Sequence, residues 1–279
     1  MVEAVVGEAR AGGPRAISGD AALKAAAGLW VLVTLLGQWA FLYYIAAFYG
    51  AATLSGNFQA WSRNTVLFKG YVAGDMAGNL VFGAHVLLAA VVALGGTVQL
   101  LPQIRRRAIA FHRWNGRVFL TTAMVAAIAG LYMVWVRGAS ANLLGALAIS
   151  LDAALILVFA AQAWRTARGR NVTDHRRWAM RAFLAANGVW FYRVGFMAWI
   201  AINRGPVGST SHLDGPFDIF WEFGSYLVPL GGLELYLRTT GGAGQHARMA
   251  MAGGLLASSI LTAIGCVAAY VIMWKPLLG

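Results

Sequence analysis

Two histidines stand in matching surroundings. His112 lies in Phe111-His112-Arg113-Trp114-Asn115-Gly116-Arg117, and His175 in Asp174-His175-Arg176-Arg177-Trp178-Ala179-Met180-Arg181. In each run a histidine is followed by arginine and tryptophan, and then by a long apolar stretch. Neutral imidazoles from two helices are a donor set for the axial positions of a haem iron. Arg113, Arg117, Arg176 and Arg177 would be charge partners for the haem propionates. The chemistry of such a site is one-electron transfer by haem b. A plainer reading makes the same residues anchors at helix starts, with arginines kept on the cytoplasmic side.

A second group consists of polar residues inside apolar stretches: Gln38, His85, Asp152 and Arg193. Counted at 1.5 Å of rise per residue, all four fall ~12–15 Å below the outer boundary of a bilayer, close to its centre. An ionisable group at that depth is expensive unless it is paired or hydrated. The structural reading pairs Asp152 with Arg193 across adjacent antiparallel helices and satisfies His85 with Gln38 or Asp152. The functional reading makes the four a polar centre that holds a ligand, a cofactor or a proton, with His85 as a central haem-ligand candidate. His212, Asp214 and Asp218 have only loose metal-ligand spacing and read as solvated turn residues, so no metal is expected beyond a haem iron. His246 follows a glycine-rich turn too short for a nucleotide loop, and no hydrolase, zincin or phosphate-loop motif is present.

These residues need helices in lipid to position them. The 279 residues are 59% hydrophobic and 11% charged, where soluble domains carry roughly 25% charged residues. Seven apolar segments reach the ~20 residues needed to cross a bilayer: 25–49, 77–101, 117–137, 143–165, 179–202, 217–238 and 249–274. The fold class is therefore an all-α polytopic bundle of about seven helices. It divides into a cytoplasmic tail (1–23) and one transmembrane domain (24–279) whose four-helix core is 77–202. The tail lacks the apolar core of a cleavable signal peptide.

Alternate loops carry sixteen lysines and arginines on one side, among them Arg10, Arg15 and Lys24, and five on the other, among them Arg63, Lys69 and Arg137. The positive-inside rule then places the amino terminus inside and the carboxy terminus outside, in the inner membrane of the cell. The net charge of +12 reads as topology and attraction to anionic headgroups, which excludes a nucleic-acid partner. The outer segment 50–76, with Trp61, Phe68 and Tyr71, is expected to form an interfacial helix. Pro229 is expected to kink the sixth span. Gly254, Ser258, Thr262 and Cys266 recur every four residues on the seventh span. That small-residue face suits close packing, within the chain or against a partner subunit. The single cysteine, Cys266, forms no disulfide within the chain and reads as a packing residue.

The run from Gly83-Ala84-His85 through Gly95-Gly96-Thr97-Val98-Gln99, Arg105-Arg106-Arg107 and His112–Arg117 resembles a bacterial membrane family, domain of unknown function 2306. His175–Arg181 and Arg193 continue the pattern, and the resemblance covers roughly residues 77–200. The family implies a membrane protein but no reaction. Its His-bearing helices are similar to those of b-type cytochromes and haem-processing membrane proteins, where His-Arg-x-x-Gly segments carry haem ligands; here that pattern is His112 to Gly116. Three functions follow from the sequence: a haem-b protein of membrane electron transfer, a cofactor-free small-molecule or proton transporter, and a non-catalytic subunit that packs through its last helix.

Overall fold

The computed structural model describes residues 18–64 and 70–278; Arg10, Arg15, Phe68 and Lys69 lie outside them. Eight long helices make the bundle among the described residues: α1 (Gly19–Tyr44), α2 (Met76–Leu100), α3 (Ile109–Trp135), α4 (Leu143–Arg168), α5 (Val172–Ala186), α6 (Gly188–Asn203), α7 (Pro216–Thr240) and α8 (Gln245–Ala269). There is no strand among those residues. A π-helical turn (Ile45–Gly50) and a further helical turn (Ala51–Leu54) extend α1, and Tyr270–Trp274 and Lys275–Leu278 extend α8 in the same way.

Capping residues set the helix starts. Side chains of Ser18, Asp75, Asn142 and Asn171 accept from the backbone N–H of Ala21 (3.3 Å), Gly78 (2.8 Å), Gly145 (2.7 Å) and Asp174 (3.1 Å), which satisfies donors a helix leaves unpaired. Because of Ser18, α1 starts at Gly19, inside the segment expected to be tail. The start of α3 at Ile109 and of α5 at Val172 also precede the apolar cores. His112 and His175 thus occupy the fourth position of their helices.

Among the described residues, five helical segments are long and apolar enough to cross a membrane: Gly19–Leu54, Met76–Leu100, Ile109–Trp135, Leu143–Arg168 and Gln245–Leu278. The other two expected spans differ for visible reasons. Residues 172–203 are divided at Asn187 into α5 and α6, of 15 and 16 residues. Along α7 stand Asp218, Glu222, Glu234 and Arg238. Pro229 lies within α7 without ending it.

Around the bundle α1 packs on α2 and most heavily on α8, α3 lies between α2 and α4, and α4 packs on α5. The two halves of the divided segment serve different neighbours: α5 lies against α4 and α6 against α8, while α7 touches both. The helices of the expected second to fifth spans thus pack on one another and also on α1, α7 and α8. Between α1 and α2 the chain does not form an interfacial helix in its described part. It folds through the short turn Phe58–Arg63 and plugs Trp61, 3% exposed, between Tyr49 and Phe82. Gly83 makes room, since a Cβ there would press on the Trp61 ring.

The small-residue face of α8 divides. Cys266 packs against Gly37 of α1, and Thr262 is buried. Gly254 is exposed, with open space where a Cβ would stand. The closest helix approach uses Gly265 instead, where a Cβ would run into the Val194 carbonyl of α6. Backbone cannot yield as a flexible side chain does, so Gly265→Ala should cost ~1–3 kcal/mol in unfolding of the detergent-solubilised protein. Gly254→Ala should stay within ~0.5 kcal/mol. Equal losses at the two positions would contradict this packing.

Candidate functional site

The two matched histidines open onto one groove. A cavity of about 2360 Å3 runs along α1, α6, α7 and α8 and ends between the starts of α3 and α5, where His112 and His175 line it. Small-molecule pockets typically measure ~300–1,000 Å3, so the volume accommodates a large apolar guest. His175 Nδ1 lies 2.9 Å from the Ala163 carbonyl. A carbonyl only accepts, so Nδ1 carries a proton, and Nε2 is the ring nitrogen that bears the lone pair in the neutral form of the ring. His112 Nδ1 is buried without a hydrogen-bond partner.

Arg105, Arg113, Arg117, Arg168, Arg170 and Arg176 line the same end. None makes an ion pair: among the described residues the pairs are Arg137–Asp75, Arg177–Asp174, Arg181–Glu234 and Arg248–Asp20. Of the four arginines singled out in the sequence, Arg113, Arg117 and Arg176 thus border the groove, while Arg177 is engaged with Asp174 at 3.8 Å. Gly254, Ser258 and Thr262 of α8 line the groove farther along. The motif residues around His112 also pack the helices. Gln99 Nε2 donates to the His112 carbonyl (2.8 Å), Asn115 Nδ2 donates to the Gly95 carbonyl (2.9 Å), and Gly96 lets Phe119 and Phe183 approach α2.

Gln38, His85 and Asp152 meet at a second, central cavity of about 90 Å3. It has no room for a macrocycle, which sets His85 apart from the other two histidines. Gln38 Nε2 donates to Asn187 Oδ1 (2.8 Å), and Asn187 Nδ2 donates to the Phe183 carbonyl (2.7 Å). His85 Nδ1 donates to the Ala126 carbonyl at 3.0 Å. Asp152 abuts Gly188, where a Cβ would overlap its carboxylate, and its Oδ1 has no partner.

Arg193 does not neutralise Asp152. Its Nη1 donates to the Val189 carbonyl (3.1 Å), and its guanidinium lies over the Phe41 ring at 5.8 Å. The reason is register: Asp152 contacts the first residue of α6, and Arg193 stands about 7.5 Å of helix rise beyond it. Asn187, 4% exposed, is the residue the sequence did not single out, because a lone Asn in an apolar run has no motif. Asp218 is likewise fully buried rather than solvated. Its Oδ2 accepts from the backbone N–H of Thr210 (2.9 Å) and Gly215 (3.1 Å) and closes the outer loop. At the same end Arg137 holds Asp75 (2.8 Å), Asn79 (2.7 Å) and the Gly70 carbonyl (3.1 Å). Arg181 grips Glu234 with two hydrogen bonds, 2.7 and 2.9 Å, joining α5 to α7.

An all-helical bundle with several apolar spans, exposed leucines and valines along them, and polar groups turned inward is a multi-pass integral membrane protein. Residues 82–211 match the family model described as predicted membrane protein (DUF2306), the family that the Gly83–His85 and His112–Arg117 segments resemble. The matched stretch holds His85, His112, Asp152, His175 and Asn187; Gln38 and α8 lie beyond it. No curated protein and no solved structure matches the chain.

Truncating Asn187 removes the acceptor of Gln38 Nε2 and leaves it buried in hydrocarbon. Asn187→Ala should destabilise the protein by ~1–3 kcal/mol. Gln38→Ala combined with Asn187→Ala should cost less than the sum of the two, because both sever the same bond. A double-mutant cycle in detergent checks this, and additive losses would count against the bond.

Proposed function

We propose that the protein binds haem b at the arginine-rich end of its groove, where His112 and His175 would hold the iron, in a role of membrane electron transfer. The observation that carries this reading is the placement of both imidazoles on one large apolar cavity, at the same position of two helices. The residues present fit the group. His175 has its Nδ1–H tied to a backbone carbonyl, the arrangement that orients metal-bound histidines and fixes their tautomer. His112 has a buried ring nitrogen with nothing to bond. Six arginines outside the ion pairs among the described residues line the same end of the groove, and guanidinium groups would suit the propionates of a bound haem. Haem, when bound, supplies a one-electron couple. The chain's own part is to hold the two rings and to surround the site with an apolar wall.

We further infer seven crossings, with α5 and α6 together making the fifth. The arginine-rich ends then face the cytoplasm of an inner-membrane protein, by the positive-inside rule.

Detergent-purified protein, titrated with haem b, should develop a Soret band at about one haem per chain. His112→Ala and His175→Ala should each lose most of that absorbance, and His85→Ala should keep it. Full absorbance in both of the first two variants, or no band in the unaltered protein, would end this reading.

A further inference from the structure

The central cavity holds buried acceptors without partners, and two backbone carbonyls decide which atoms they are. The Phe183 carbonyl takes the Nδ2 donor of Asn187, so Asn187 turns its oxygen to α1. Gln38 must then present its nitrogen to that oxygen, and its own Oε1 is left buried without a partner in a residue that is 0% exposed. The Ala126 carbonyl takes the Nδ1 proton of His85, which leaves Nε2 as an acceptor. Asp152, 9% exposed, adds a carboxylate whose Oδ1 bonds to nothing. Three acceptors without a hydrogen-bond partner therefore border the cavity, while the donors left beside it are the buried Trp190 Nε1–H and the second amide hydrogens of Gln38 and Asn187, none of which carries a positive charge to offset a carboxylate.

Acceptors cannot satisfy one another. A charged carboxylate here would cost several kcal/mol without a counter-ion, and Arg193 is turned to Val189 and Phe41. We propose that this cavity is a buried proton-binding site: Asp152 holds the proton as a neutral acid, and water links it to Gln38 Oε1 and His85 Nε2. The space of about 90 Å3 has room for a few waters, each filling ~30 Å3 in the liquid. The titratable groups beside Asp152 are His85 from α2, on the same cavity, and Tyr226 from α7, whose hydroxyl donates to the Ala148 carbonyl at 3.1 Å; the Arg193 guanidinium of α6 is turned away from it. To this cavity α1 contributes Gln38 and Phe41, and α3 only alanines and Gly130. Passing the proton from Asp152 through one water to His85 Nε2 leaves a carboxylate and an imidazolium. One proton changes place and the net charge of the site is unchanged. The site stands on its own geometry and does not depend on haem.

Infrared spectroscopy of the full chain in lipid nanodiscs tests this. At neutral pH the unaltered protein should show a protonated-carboxyl C=O band that shifts in D2O and is absent in the near-isosteric Asp152→Asn. Gln38→Leu should move that band toward the position of a less hydrogen-bonded acid, which a purely structural glutamine would not do. Only carboxylate absorption, or a band retained in Asp152→Asn, would overturn the proposal. An unmoved band in Gln38→Leu would overturn the water link. Replacing choline chloride with sodium or potassium chloride should leave the band intact. Its loss would mean that the cavity takes a metal cation instead of a proton. Exchange in D2O and the Gln38→Leu arm remain decisive if Asp152→Asn does not fold.

Discussion

The buried hydrogen bond from Gln38 to Asn187 holds the bundle at the interruption between α5 and α6. In hydrocarbon no water is present to satisfy free backbone groups, so an interruption in a membrane helix must be covered by protein. At the junction of α5 and α6 the Asn187 side chain covers the Phe183 carbonyl, and Gln38 of α1 covers Asn187. Gly188 leaves the next position open for the Asp152 carboxylate of α4. Three helices thus close one break. The break in turn lets a single segment lie against α4 with one half and α8 with the other.

Much of this is legible in the residues, because lipid imposes a strong pattern. Apolar length marks the helices, and the cost of burying polar groups picks out Gln38, His85 and Asp152, which do share one cavity. What is not legible depends on register and on partners distant in the chain. Asp152 and Arg193 sit at similar depth by counting residues, but facing pairs are decided by where Gly188 meets α4. Asn187 carries no signal by itself, and its importance comes from a residue 149 positions away. The four-residue repeat on α8 pointed to packing along its whole length, whereas the tight crossing belongs to Gly265, one position off that repeat. Depth is a one-dimensional quantity and packing is not.

The arginines separate into two kinds by the same geometry. Arg137, Arg181 and Arg248 reach across to carboxylates on other helices or before them, and act as clamps between elements distant in sequence. Those around the groove mouth have no such partner and are largely solvent-exposed. Counting basic residues gives the same weight to both kinds. Only the first kind stabilises the fold by pairing; the second leaves positive charge uncompensated at one end of an apolar channel. Such an end favours anionic groups whose bodies are apolar, whether a porphyrin or an acyl chain carries them.

The groove and the central cavity are separate spaces, linked through Phe183, which lines the groove and accepts from Asn187 of the cavity wall. Its ring lines the groove and lies 6.5 Å from that of Phe119, both crowded against Gly96. Its carbonyl is the fixed point that orients Asn187, and through Asn187 the amide of Gln38. A guest that displaces the ring has to move the last turns of α5, because a side chain packed between two helices and a phenylalanine has no free rotamer into which to retreat. Moving that turn moves the carbonyl. Which atom of Gln38 is left without a partner beside the central cavity is therefore set by backbone of a residue that also lines the groove.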